Sequence, residues 1–438
     1  MNNILSWVED KLMPPMAKLS EVRYLRAIRD GIVSTMPLIM LGSLFCMIAQ
    51  FPIAAWTKFI APHVQMVMLP YRISVGLMAV FVAFGVGYYL AESYKLDALS
   101  GGFVALGTFL MSNLPVQASL TEAPKTVLGF VLPMTYTGGS GMFIAILSAI
   151  MGVEIMRFCK IKNITIKMPE QVPESVSRSF AAIIPAAISI TIMWVIVALL
   201  GIDMNKLIMD FFKPILNLGM NSYLGVIIPT LLIALLWSAG VHGVSVIGSI
   251  LRPFWLVLLQ QNMDAVAAGK VAPNIGVEGF YSFIWIGGAG GTLALCLLFM
   301  MCAKSSYLKQ IGRLSLVPGL FNINEPIMFG APTVLNPILA IPFIVGPFIT
   351  GTLAYIACSL HLVNNASVIV PFTIPSPFKV YLMTNGDWRA IIIVIINFAI
   401  YMGLYYPFVK VYDKQMVAQE KQDEKEEQEE AEGVTAEI

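Results

Sequence analysis

Long apolar runs alternate along this chain with short polar connections. Nearly continuous hydrophobic stretches occupy 31–51, 73–91, 98–111, 127–156, 180–201, 223–239, 280–302, 337–360 and 390–408. An apolar run of about 20 residues lets an α-helix cross a hydrocarbon core about 30 Å thick, so each stretch predicts a membrane span. Two further stretches, 241–259 and 314–333, are apolar but punctuated by glycine, proline and polar residues. Irregular backbone survives at membrane depth only where protein buries it or a water-filled cavity wets it. These two are therefore expected to be re-entrant or broken, within an all-α polytopic membrane protein of about ten transmembrane helices.

Composition agrees, with 58% hydrophobic against 12% charged residues over 438 positions, far from the balance of a soluble domain. Net charge is +1, yet the stretch after Ala418 holds nine acidic and two basic residues, so the rest of the chain carries about +8. That tail has too little apolar surface to fold and is expected to be disordered over 416–438. Met1 to Ser20 is amphipathic and charged rather than a cleavable leader, and the first long apolar run starts only after Asp30, so uncleaved helices should direct insertion.

Basic residues next to spans mark cytoplasmic loops. Lys11, Lys18, Arg23, Arg26 and Arg29 precede the first span, and Arg157, Lys160, Lys162, Lys167 and Arg178 follow the fourth. Four spans separate the two groups, so both fit one side. Lys304, Lys309 and Arg313 mark a third such loop, and Lys410 and Lys414 place the C-terminus there too. The polar loop 159–178, with Pro169 and Pro173, divides an N-terminal membrane domain (1–165) from a C-terminal substrate domain (166–415). Arg29 precedes Pro37 by eight residues and Arg178 precedes Pro185 by seven, a faint internal similarity.

The cysteines, Cys46, Cys159, Cys296, Cys302 and Cys358, lie in or beside apolar runs with no CxxC pair. They read as small buried hydrophobes, and neither a metal site nor a cofactor is expected. Ionisable residues in apolar segments carry more information, because the membrane makes them costly. His242 stands in Trp237-Ser-Ala-Gly-Val-His-Gly-Val-Ser245 and Glu325 in Phe321-Asn-Ile-Asn-Glu-Pro-Ile-Met-Phe-Gly330. Pro326 biases Glu325 away from helical geometry, and Asn322 and Asn324 cluster amides beside it. A carboxylate with a histidine suits a hydroxyl-rich ligand, since it accepts hydrogen bonds from hydroxyls and can take the proton of one that becomes a nucleophile. Trp237 offers an aromatic face to the apolar side of a sugar ring.

Two other chemistries fit the same residues. His242 and Glu325 could form the proton relay of an ion-coupled secondary transporter. Alternatively, Gly138-Gly-Ser-Gly141 spells a short nucleophile pattern for which His242 could be the base, although Ser140 reads more naturally as part of a polar turn with Thr135 and Thr137.

Leu25-Arg-Ala-Ile-Arg-Asp-Gly-Ile-Val-Ser-Thr-Met-Pro37 with Leu41-Gly-Ser43, Val176-Ser-Arg-Ser-Phe-Ala-Ala-Ile-Ile-Pro185, Gly240-Val-His-Gly243 and Asn322-Ile-Asn-Glu-Pro-Ile-Met-Phe-Gly330 occur in that order. In these motifs the chain resembles the lactose/cellobiose/diacetylchitobiose family of phosphotransferase enzyme IIC components, from about Arg23 to Tyr412. The resemblance implies a homodimeric permease that binds a β-linked disaccharide and works with lipid, but not nucleic acid, around it. It further implies phosphorylation of the sugar's 6-hydroxyl by a phosphocysteine on a separate IIB protein, itself charged by IIA. Glu325 would orient and deprotonate that hydroxyl, His242 would hydrogen-bond the sugar or steady the glutamate, and Trp237, Asn322 and Asn324 would line the site.

Overall fold

The computed structural model describes residues 22–49, 54–119, 127–166, 180–331 and 336–436. The amino-terminal half opens with α1 (Arg23–Ala49), followed by three short helices, Ala54–Ile60, Val64–Val67 and Leu69–Ser74. Next come α2 (Met78–Ser93), α3 (Ala98–Met111) and α4 (Met142–Ile161), which pack on one another, with α1 against α2. The crossing of α1 and α2 is close because Gly31 and Gly85 face each other. A Cβ at Gly31 would lie 2.5 Å from the amide nitrogen of Val86, and one at Gly85 would lie 2.8 Å from the carbonyl oxygen of Gly31. Without a hydrophobic drive between helices in lipid, such small-residue approaches supply the contact.

At one end of this bundle the start of α1 meets the ends of α2 and α4. Glu154 accepts hydrogen bonds from the phenols of Tyr24 and Tyr94 at 2.8 and 2.5 Å and from Arg157 at 3.1 Å. The guanidiniums of Arg23 and Arg157 lie 4.3 and 4.5 Å from the centre of the Tyr94 ring. Arg23 of the first basic group and Arg157 of the second thus share one end of the bundle. Lys11, Lys18, Lys167, Pro169, Pro173 and Arg178 lie outside the described residues.

In the second half, α5 (Ile183–Trp194) runs on through a π-helical turn and then turns 85° into α6 (Met204–Pro214). The carboxylate of Asp203 caps α6 by accepting from the amide of Lys206 at 2.9 Å. There follow α7 (Tyr223–Ser238), α8 (Gly243–Ala267), α9 (Thr292–Cys302), α10 (Ser306–Leu320), α11 (Glu325–Gly330), α12 (Pro337–Ser359), α13 (Ser376–Met383) and α14 (Arg389–Ala436). The long helix α8 packs on α1 and so joins the two halves.

Among the described residues six helical segments are long and apolar enough to cross a membrane, Ala55–Ser93 counting as one, or seven if α5 and α6 count as one bent span. That is fewer than the ten or so expected, because the helices in 98–111, 223–239 and 280–302 are too short for a full crossing. A glycine run explains the last of these. Gly287, Gly288, Gly290 and Gly291 all have positive φ, so the backbone before Thr292 is not an α-helix. Its carbonyls are satisfied by protein: Tyr405 donates to Gly290 at 2.8 Å, Tyr401 to Ile284 at 3.1 Å and Asn397 to Phe283 at 2.8 Å.

Other differences have equally local causes. The segment 241–259, expected to be broken, is continuous helix from Gly243 onward with Pro253 inside it. Neighbouring helices tolerate a proline there, and the chain breaks before it, between Ser238 and Gly243. The segment 314–333 does break, at Phe321–Asn324 between α10 and α11. Within the stretch 127–156, Val127–Val131 is a strand (β2) paired antiparallel with β1 (Val116–Ser119), and the helix starts after Gly141. At the other terminus α14 continues as helix through the acidic tail to Ala436, a departure from the disorder that composition predicts.

Candidate functional site

Trp237 occupies the last turn of α7, and the chain then reverses within five residues. Gly240 has φ +86° and ends the helix, with the amide of Val241 reaching back to the carbonyl of Leu236 at 2.9 Å. Glycine in the left-handed region is the usual device for this stop. His242 then caps α8, its Nδ1 accepting from the amide of Ser245 at 3.1 Å with the Ser245 hydroxyl 2.9 Å away. Because Nδ1 accepts, the neutral ring carries its proton on Nε2, which leaves Nε2–H as a donor. The turn also folds the two rings together, with centroids 4.5 Å apart at 47°. Trp237 is buried, and its Nε1–H has no partner within the described residues.

Glu325 is the first residue of α11 and Pro326 the second. Proline is tolerated there because the amide it lacks would have had no partner within the helix. The expectation of non-helical geometry at Glu325 is therefore not met, since the break lies just before it. Three carboxylates of the helical body are engaged: Glu154 as above, Asp387 by Arg389, and Asp413 by the amides of Lys304 and Ser305. Glu325 is exposed and accepts no hydrogen bond from a described residue. Its carboxylate and the Arg29 guanidinium of α1 both lie within electrostatic reach of His242. The structure thus brings Glu325, His242 and Trp237 into one region, at the junction of α1 with the second half.

The two asparagines do something else. Asn322, at φ +61°, receives the amide of Gly287 at 3.1 Å and the hydroxyl of Ser376 at 2.8 Å, and donates to the carbonyls of Phe372 and Ile374, both at 2.8 Å. Two lone pairs and two hydrogens are an amide's whole capacity. Asn322 therefore clamps the glycine run and the segment before α13 to the break, with its amide fully used. Asn324 is buried and donates to the carbonyl of Ala289 at 3.3 Å, while a Cβ on Gly288 would strike it at 2.6 Å. Together they build the platform on which Glu325 stands.

Residues 29–347 match the family model described as "Phosphotransferase system, EIIC". The chain belongs to the EIIC family. This EIIC chain is 39% identical over 442 residues to the "PTS system cellobiose-specific EIIC component" of Geobacillus stearothermophilus, with 97% of each covered. It is 36% identical to the "Lichenan permease IIC component" of Bacillus subtilis (strain 168), with 96% of each covered. Its fold matches the crystal structure of the transporter ChbC, the IIC component from the N,N'-diacetylchitobiose-specific phosphotransferase system, with a TM-score of 0.89 at 37% identity. That match covers 95% of this chain and 99% of the other. The EIIC chain is accordingly the multi-pass membrane permease component of a sugar phosphotransferase system.

Sequence reasoning overlooked Arg29 as a neighbour of His242, and also the pair formed by Arg252 of α8 with Glu278, 3.0 Å apart. The cost of charge inside an apolar helix flags Arg252 by the same rule that flags His242. The Gly-x-Ser-Gly pattern forms no dyad. Ser140 donates to the carbonyl of Thr135 at 2.6 Å and lies beside Gln260, about 27 Å of helix rise from His242.

Proposed function

We propose that this permease imports a β-linked disaccharide of the cellobiose or diacetylchitobiose kind and presents its 6-hydroxyl for phosphorylation. The observation that carries the reading is the Glu325 carboxylate, which accepts from no described residue and lies within electrostatic reach of His242, itself paired with Trp237. The names of its relatives support the sugar class. Trp237, buried against His242, steadies the imidazole, and His242 Nε2–H donates to a hydroxyl. Glu325 removes the proton of the 6-hydroxyl as its oxygen attacks the phosphorus of a phosphocysteine on a separate IIB chain, itself charged by IIA. The sulfur–phosphorus bond breaks, the oxygen–phosphorus bond forms, and the sugar leaves as a charged ester that cannot return through the membrane. The protein acts as a homodimer, and both its termini lie in the cytoplasm, an orientation supported by Arg23 and Arg157 at one end of the first bundle.

Glu325→Gln tests the assignment, because the amide fills the same space but cannot take the proton. Sugar phosphorylation by membranes supplied with donor proteins should disappear, while sugar binding persists. Normal phosphorylation in that variant would remove Glu325 from the chemistry.

A further inference from the structure

Between the short helix Leu69–Ser74 and the last turns of α8 lies a cavity of about 580 Å³, within the size range of small-molecule sites. Its lining holds one cation, Arg72, and one anion, Asp264, and so no net charge. Asp264 Oδ1 accepts from the buried Tyr71 phenol at 2.8 Å, and Gln261 Oε1 accepts from Asn274 at 2.9 Å. Each side chain is thereby fixed at one atom, and no described residue takes Asp264 Oδ2 or the Gln261 amide hydrogens. Met134 and Val257 supply an apolar wall.

This combination discriminates between ligand classes. A cation would meet Arg72 and an anion would meet Asp264, whereas an uncharged polyol can give a hydroxyl hydrogen to the carboxylate, accept from the amide, and lay its C–H face on the apolar wall. Groups already held in place lose little freedom on binding, which favours recognition.

The cavity is separate from the site at Glu325. His242 precedes α8 while the cavity begins at Val257, about 22 Å along the helix axis. The start of α1 adjoins His242, whereas the cavity adjoins Gly76, at the opposite end of α2 from the basic cluster. We propose that it is an external docking site for a neutral disaccharide, occupied before the sugar reaches Glu325. Calling it external rests on the orientation given under Proposed function.

Impermeant maleimide labelling of the full-length protein in right-side-out vesicles tests this. The native cysteines are buried or half-buried, so Met134→Cys supplies an accessible thiol in the cavity wall, and Phe130→Cys on β2 one outside it. Saturating cellobiose or diacetylchitobiose should slow labelling at Met134→Cys at least fivefold and leave Phe130→Cys unchanged. Asp264→Asn, or Gln261→Ala should that variant not fold, should raise the protecting concentration about tenfold, while sugar phosphorylation by inverted membranes stays unchanged. The protecting concentration must stay unchanged in a His242→Ala background, which weakens the inner site and leaves the cavity lining untouched. Unprotected labelling by both sugars, equal protection at Phe130→Cys, or a protecting concentration raised with His242→Ala would each overturn the docking site. None of these results would restore or remove the role of Glu325 in phosphorylation.

Discussion

The phenol of Tyr307 donates to the carbonyl of Gly330, tying the first turn of α10 to the last residue of the short helix that begins with Glu325. Further contacts hold that turn from the other side. Glu420 of α14 accepts from the Ser305 hydroxyl at 2.7 Å and the Tyr307 amide at 2.9 Å, and Asp413 accepts from the Lys304 and Ser305 amides at 2.8 and 2.9 Å. The last helix thus anchors α10, and α10 positions α11.

Tyr307→Phe removes the hydroxyl and keeps the ring. Loss of one such bond is worth about 1 kcal/mol, so the phosphorylation rate should fall about fivefold through a looser Glu325. Equilibrium binding of radiolabelled sugar should stay within twofold, and an equal loss in binding and rate would show that Tyr307 acts on the site as a whole.

His242→Ala deletes the Nε2–H donor and also the cap of α8. Sugar affinity should drop about tenfold, about 1.4 kcal/mol, measured by calorimetry on the purified protein. His242→Asn keeps a capping oxygen but shortens the reach, so it should recover thermal stability without recovering affinity. Unchanged affinity and turnover in both variants would take His242 out of the site.

Gly290 has φ +77°, and a Cβ there would lie 2.3 Å from the Phe343 ring. The left-handed backbone costs an alanine about 1–2 kcal/mol and overpacking about 1–3 kcal/mol. Gly290→Ala should therefore lower the melting temperature in detergent and reduce membrane yield, as read by a thermal shift on the solubilised protein. Phe343→Leu beside it should restore part of the loss.

Burial alone would raise the Asp387 carboxyl, but it also accepts from the Arg389 side chain and from the amides of Asn364 and Arg389, and these hold it below the ordinary carboxylate range. A folded-state value below the unfolded one stabilises the protein above about pH 3.9 and is lost as pH falls through the lower, folded value. Thermal stability should therefore drop as pH is lowered through and below that point. In Asp387→Asn the corresponding part of the acid dependence should vanish, leaving a flatter curve from a lower starting stability.

How far the sequence could be read differed with the range of the forces involved. The described part of the span at 31–51 and the spans at 337–360 and 390–408 became helices because a long apolar run has one favourable arrangement in lipid. The break beside Glu325 was likewise legible, since Asn-Glu-Pro cannot continue a helix from α10. Pro253 misled, because one proline within α8 is offset by neighbours that no local pattern shows. Composition likewise counts the charge of Glu420 but cannot show that a hydroxyl and an amide more than a hundred residues away hold it.

From its sequence alone this chain was a helical membrane protein, and its motifs pointed to the EIIC family and singled out Glu325, His242 and Trp237. Hydropathy, helix stops and costly charges are properties of neighbouring residues, and they survive in one dimension. Tertiary structure decided which polar groups stay available. Asn322 spends its whole amide on Gly287, Ser376, Phe372 and Ile374, while Glu325, three residues on, accepts from no described residue. Hydrogen-bonding capacity is finite, and only the folded chain determines which partners exhaust it.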